Sequence, residues 1–199
     1  MRSITLSFFS ALSFSGACTA QVVDPTVKGD QAITFATYAG YKAAKGDTVG
    51  TYMDLVPSVG QYTLIFSRNG EKRKVPCKDL WGFVFKGVLF RIEEEFHLPV
   101  RLMTKGAVCY YENGYAHLIM QRDGTELSFY DLGYQSYLSH DLESPIVRAV
   151  FRTDDRSSSG KFRAAFPQYE SLCTCIGDSD VLDHTRQCVV DFEASLEKE

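Results

Sequence analysis

From Gly60 onward the chain alternates β-branched or aromatic residues with polar ones, in short runs closed by glycine turns. The runs are Gln61–Phe66, Glu71–Cys77, Trp81–Phe85, Val88–Ile92, Leu98–Met103, Ala107–Glu112, Tyr115–Gln121 and Thr125–Leu132. Between them lie Asn69-Gly70, Lys86-Gly87, Lys105-Gly106, Asn113-Gly114 and Arg122-Asp123-Gly124. Period-two runs broken at such regular spacing predict sequential antiparallel hairpins. Upstream, residues 21–31 form a polar lead and Ala32–Phe35 a short strand. Thr37–Lys45 reads as a short helix, with Thr37 as its cap and Gly46 as its stop.

After Gly133 the period changes. Ser136 or Ser139 can start a helical segment carrying Leu138, Leu142, Val147 and Val150, broken or restarted at Pro145. Asp154–Gly160 is a charged, serine-rich loop, and Lys161–Ile176 has helical spacing interrupted by Pro167. Helical periodicity is clearest over residues 181–196, where Val181, Leu182, Thr185, Cys188, Val189, Phe192 and Leu196 share one face. The expected fold is therefore α+β: an antiparallel β-meander, as a curved sheet or partial small barrel, with C-terminal helices packed on it. Residues 32–134 are mainly strands with a helix near 37–45, and residues 135–199 are mainly helices, within one domain spanning 21–199.

The first twenty residues stand apart. Arg2 is followed by an apolar, serine-rich run from Ile4 to Phe14 and then by small residues. The run is too short and too polar to span a bilayer permanently, and the order of features is that of a secretory signal over residues 1–20. Cleavage between Ala20 and Gln21 gives a soluble mature chain. A competing reading takes Ser15-Gly16-Ala17-Cys18 as a lipobox with Cys18 lipidated, although Ser15 stands where an aliphatic residue is usual. Expected location is accordingly periplasmic or secreted, or else lipid-anchored in the envelope, with membrane contact only if Cys18 is lipidated.

The 199 residues carry 21 Lys+Arg against 25 Asp+Glu, a formal charge of −4, so no basic footprint for nucleic acid exists. Export implies an oxidising compartment for the remaining cysteines, Cys77, Cys109, Cys173, Cys175 and Cys188. Cys173 and Cys175 are too close for a relaxed mutual bridge, so one of them is expected to reach Cys188. Cys77 with Cys109 is a possible second pair, the alternative being two small buried hydrophobes. Cys173-x-Cys175 with His184 and Cys188 misses the usual Cys-x(2–4)-Cys zinc spacing, so no metal is expected.

Three segments carry a resemblance. They are Thr37-Tyr38-Ala39-Gly40-Tyr41-Lys42-Ala43-Ala44-Lys45, the Trp81-Gly82-Phe83 strand within Asp79–Ile92 with its Lys86-Gly87 turn, and Lys105–Glu112 with its Tyr110-Tyr111 pair. Together, over about residues 35–115, they resemble a pattern of uncharacterised exported bacterial β-rich proteins. The resemblance implies an exported, sheet-rich protein and supplies no catalytic residues.

No catalytic template is present in the sequence. His97, His117, His140 and His184 form neither His-x-His nor His-Glu-x-x-His, and there is no Gly-x-Ser-x-Gly or phosphate-cradling loop. His117 reads as an ordinary strand histidine, and Glu93-Glu94-Glu95 as a solvated hairpin tip. Trp81, Phe83 and Phe85 fall on one strand face by alternation and are either core or an aromatic binding face. These features lead to a non-enzymatic structural or binding module of the cell envelope, without cofactor, whose partner would be an envelope protein or glycan. The alternative is a hydrolase-like or thiol-dependent enzyme assembled from scattered His, Asp, Glu and Cys residues, which requires His117 or His140 to meet a carboxylate.

Overall fold

The computed structural model describes residues 29–124, 135–149, 162–177 and 181–197. The expected signal at residues 1–20, the expected strand Thr125–Leu132 and the expected loop Asp154–Gly160 lie outside the described residues. The elements run β1 (Gln31–Phe35), α1 (Tyr38–Lys42), β2 (Asp47–Ser58), β3 (Gln61–Arg68), β4 (Glu71–Pro76), a 3-10 turn (Cys77–Asp79), β5 (Gly82–Phe85) and β6 (Val88–Ile92). They continue with β7 (Pro99–Lys105), β8 (Cys109–Asn113), α2 (Gly114–Asp123), β9 (Ser136–Ser139), β10 (Val147–Arg148), α3 (Glu170–Ile176) and α4 (Leu182–Leu196).

All strand pairs are antiparallel, in the order β10-β9-β8-β7-β6-β5-β1-β2-β3-β4. The sheet is open, with β10 and β4 at its edges. The class is α+β, an antiparallel sheet that is not closed with C-terminal helices, as expected. β1 enters between β2 and β5, which is the single departure from a simple meander. Among the described residues no helix is long and apolar enough to cross a membrane.

Directly opposed residues share a face, so the register defines rows across the sheet. One row runs Phe83, Phe90, Arg101, Glu112, Ser136. On its face two apolar clusters form. The first gathers Tyr52, Leu55, Leu64, Phe66, Phe83 and Phe90 from β2 to β6, with Leu118 of α2. The second gathers Tyr110 and Leu138 with Phe166, Leu172, Cys188 and Phe192 of the C-terminal segments. A third cluster, with Phe35, Val84, Leu89, Val100, Leu102 and Tyr111, occupies the opposite face.

Three expectations are corrected. Residues 115–121 are helical, not a strand. Asn113 caps α2 by accepting from the Tyr115 N–H at 3.1 Å, and Gly124, left-handed at φ 66°, ends it. Gly114 is needed at the entry, because a Cβ there would overlap the Pro99 carbonyl. Residues 136–139 and 147–148 are strands where a helix was expected, because each completes a ladder next to β8 or β9. β2 was not anticipated: a bulge between Tyr52 and Asp54 spaces the buried residues Tyr52 and Leu55 three apart and hides the alternation.

Other expectations hold. Thr37 Oγ1 accepts from the Gly40 N–H at 3.1 Å, and α1 ends at Ala43 and Ala44, ahead of Gly46. Helix α4 buries Thr185, Cys188, Val189 and Phe192, while Val181 and Leu196 remain exposed.

Candidate functional site

Glu112 is the only fully buried carboxylate among the described residues, at 0% exposure, and it sits between the first two apolar clusters. Strand β8 aims it at the helical cover, because Tyr110 and Glu112 face one way and Cys109 and Tyr111 the other. Arg186, from the second turn of α4, forks onto it with Nε at 2.6 Å and Nη2 at 2.8 Å. Tyr110 OH donates to the same carboxylate at 3.1 Å, and His117 Nε2 lies 3.0 Å from Oε2. On its other side the His117 ring meets Arg101 Nη1 at 3.0 Å from Nδ1.

A guanidinium has no acceptor, so Nδ1 must accept from Arg101 and Nε2–H must donate to Glu112. The imidazole is thereby fixed as the neutral Nε2–H tautomer. Burial lowers the His117 pKa; the bond to Glu112 works against this, and the charge of Arg101 adds to it. For Glu112 burial acts upward, yet the hydrogen bonds and charges of Arg186 and His117 outweigh it and hold the carboxyl at about 2. Burial also lowers Arg101. Chemically the group is an ion-pair clasp: the histidine has both nitrogens engaged, so the atom a general base would need is held by Arg101.

A cavity of about 560 Å³ opens beside the first cluster, bordering it through Leu55 and Tyr62. Its walls are Leu55, Tyr62, Phe96 and Leu98, with Phe96 53% exposed. Asn113 and Arg148 bring polar and positive character to it, and Gln135, also in the lining, accepts from Tyr137 OH. A mostly apolar cavity of this size with a few polar groups suits a small ligand.

The residues singled out from sequence fall as follows. Cys175 and Cys188 are joined in a disulfide, with Cα atoms 5.7 Å apart. Cys173 is free and buried, its Sγ directed at the Phe166 carbonyl at 3.7 Å. Cys77 and Cys109 do not form the second pair; Cys77 lies in the first cluster and Cys109 in the third, on opposite faces of the sheet. Burial pushes the Cys77 thiol up to about 12 and raises Cys109 and Cys173 as well, so these are inert thiols near neutrality.

Phe83 and Phe85 are buried in the core, so they present no exposed binding face. Trp81 leaves their face because the alternation breaks at Gly82, where a Cβ would press on the Phe90 carbonyl. The indole packs instead with Tyr38 at 5.4 Å, Tyr41 at 4.9 Å and the Arg91 guanidinium at 5.0 Å. It lines a second cavity of about 360 Å³ with Thr37, Lys78 and His97.

Glu93 is no solvated tip. It is 3% exposed and accepts from the backbone N–H groups of Glu95, Phe96 and Leu98, which shapes the β6–β7 turn. His140 hydrogen-bonds the Ala165 carbonyl at 2.9 Å and packs on Phe166 at 4.4 Å. Sequence reasoning missed Glu112, Arg101 and Arg186 altogether. Comparison with protein-family models, with curated proteins and with solved structures finds no match for this chain.

Proposed function

We propose that the chain is an exported, non-enzymatic binding module of the cell envelope, taking a small amphiphilic ligand in the 560 Å³ cavity. The observation that carries the reading is the make-up of that cavity. Leu55, Tyr62, Phe96 and Leu98 offer an apolar wall, and Asn113 and Arg148 suit a polar or anionic head group. Export is supported by the signal-like order of residues 1–20 and by the Cys175–Cys188 disulfide, which suits an oxidising environment.

Titration with a fluorescent medium-chain fatty acid tests the binding role. Saturable binding that weakens roughly tenfold or more in Leu98→Trp, which fills the cavity, is expected. No saturable binding, or binding indifferent to Leu98→Trp, refutes it. Mass spectrometry of the mature N-terminus tests the address. A start at Gln21 supports the soluble form, acyl-Cys18 supports the anchored one, and a retained Met1 refutes export.

The alternative, a hydrolase-like enzyme, draws support from one contact, the buried His117–Glu112 pair. Against it, Arg101 occupies Nδ1. Turnover of a substrate by the purified protein, lost in a folded His117→Gln variant, would favour the enzyme.

A further inference from the structure

The C-terminal disulfide is accompanied by a histidine. Cys175 lies in the last turn of α3, while His184 and Cys188 are four residues apart on α4 and therefore share one helix face. His184 Nε2 is 3.6 Å from Cys188 Sγ and 2.8 Å from the Cys175 carbonyl oxygen. The two sulfurs and one imidazole nitrogen all lie within 4.8 Å of one another. Zn–S bonds of about 2.3 Å and Zn–N bonds of about 2.0–2.1 Å in tetrahedral geometry place sulfur and nitrogen about 3.5 Å apart. The observed sulfur–nitrogen distance already meets that requirement.

We propose that reduction of Cys175–Cys188 converts this disulfide into a three-ligand site for a thiophilic divalent metal, with Zn²⁺ as the fitting ion. The step balances with a dithiol reductant: its two thiols become a disulfide, the Cys175–Cys188 bond breaks, and each cysteine sulfur gains a proton. Metal binding then releases both thiol protons. The His184 proton moves from Nε2 to Nδ1, which frees the Nε2 lone pair for the metal. Cys175 and His184 are exposed and Cys188 is buried, so the fourth position faces solvent. Cys173 is outside the ligand set, because its thiol faces the Phe166 carbonyl within the core. The same three residues thus hold either a covalent staple or a metal, according to the thiol redox state.

The test uses the whole mature chain, reduced with a phosphine under anaerobic conditions and titrated with Co²⁺ and Zn²⁺. One equivalent of Co²⁺ bound, with sulfur-to-cobalt charge-transfer absorption, is expected for the reduced chain and not for the oxidised one. His184→Ala weakens binding roughly tenfold or more, and Cys173→Ser leaves it unchanged. A second measurement needs no variant: Zn²⁺ protects Cys175 and Cys188 of the reduced chain from alkylation, read by peptide mass. Equal binding by oxidised and reduced chains, or alkylation of both cysteines at the same rate with and without Zn²⁺, overturns the proposal.

Discussion

Replacing Glu112 with alanine removes the common acceptor of three donors, takes from Arg101 the negative charge beside it, and leaves Arg186 with the exposed Asp183 at 3.3 Å in place of a buried carboxylate. Breaking a buried ion pair by deleting one partner costs about 3–5 kcal/mol. The Tyr110 and His117 hydrogen bonds add about 1 kcal/mol each. Arg186 has a side chain 35% exposed and recovers some hydration, which lowers the sum. The expected loss is therefore about 4 kcal/mol, a large part of the roughly 5–15 kcal/mol that holds a typical domain. Urea unfolding at pH 7 with the disulfide intact reads it as a fall in midpoint at constant slope. Heating reads it as a drop on the order of 10 °C. In a cycle with Arg186→Met, the double variant should lose less than the sum of the singles by at least about 1 kcal/mol. A loss below about 1 kcal/mol for Glu112→Ala, or strict additivity with Arg186→Met, refutes the clasp.

Three further outcomes are expected. Gly114→Ala drives a Cβ into the Pro99 carbonyl, which is backbone and cannot step aside, so the unfolding free energy from urea titration should fall by about 3 kcal/mol or more. Stability should decline on acidification in two stages. The folded-state His117 pKa lies below 6.5, so the unfolded chain takes up the proton first and stability falls as pH drops below about 6.5. The folded-state Glu112 pKa is about 2 against 4.5, so a second loss, on the order of 3 kcal/mol, follows between those values; pH-resolved urea midpoints in Glu112→Gln should lack it. Removing the bridge with Cys188→Ser, which opens a connection of sequence separation 13, should cost about 3 kcal/mol in thermal unfolding.

Local turn chemistry was legible in the sequence. Asn69-Gly70 and Lys86-Gly87 both have positive φ at both positions, as a two-residue hairpin demands. Asn113-Gly114 looks the same on paper but does different work. Asn113 has φ −49° and caps a helix, and the apolar residues 116 and 118 fit a strand as well as a helix turn. That one ambiguity hid the site, because it placed His117 on a strand and away from Glu112. The pairing of Arg101 with Glu112 was hidden differently. A two-residue turn at Lys105-Gly106 would set Thr104 opposite Ala107. The observed turn is longer, with Lys105 opposite Cys109, and a bulge between Leu102 and Thr104 shifts the register again. The contact from Arg186 is tertiary, 74 residues away in sequence, and no local pattern reports it.

The placement of α4 shows why the polar seam is tolerated between two apolar clusters. Leu, Val and Phe side chains attract without direction, so apolar packing alone would let this helix slide or turn on the sheet. Three residues along it remove that freedom. Arg186 must meet Glu112, Cys188 must reach Cys175, and Glu193 accepts from the Ala107 and Val108 N–H groups at 2.9 and 3.1 Å. Gly106 is part of the same lock, since a Cβ there would occupy the space of the Glu193 carboxylate. A slip of one helical turn, about 5.4 Å, would break all three at once and leave Glu112 charged and dry. The buried charges therefore act chiefly against wrong registers, with net stabilisation a secondary effect. Arg186 and Glu193 keep their bonds to Glu112 and to the Ala107 and Val108 N–H groups when the Cys175–Cys188 bond opens, so a change in the thiol state leaves the register of α4 on the sheet in place.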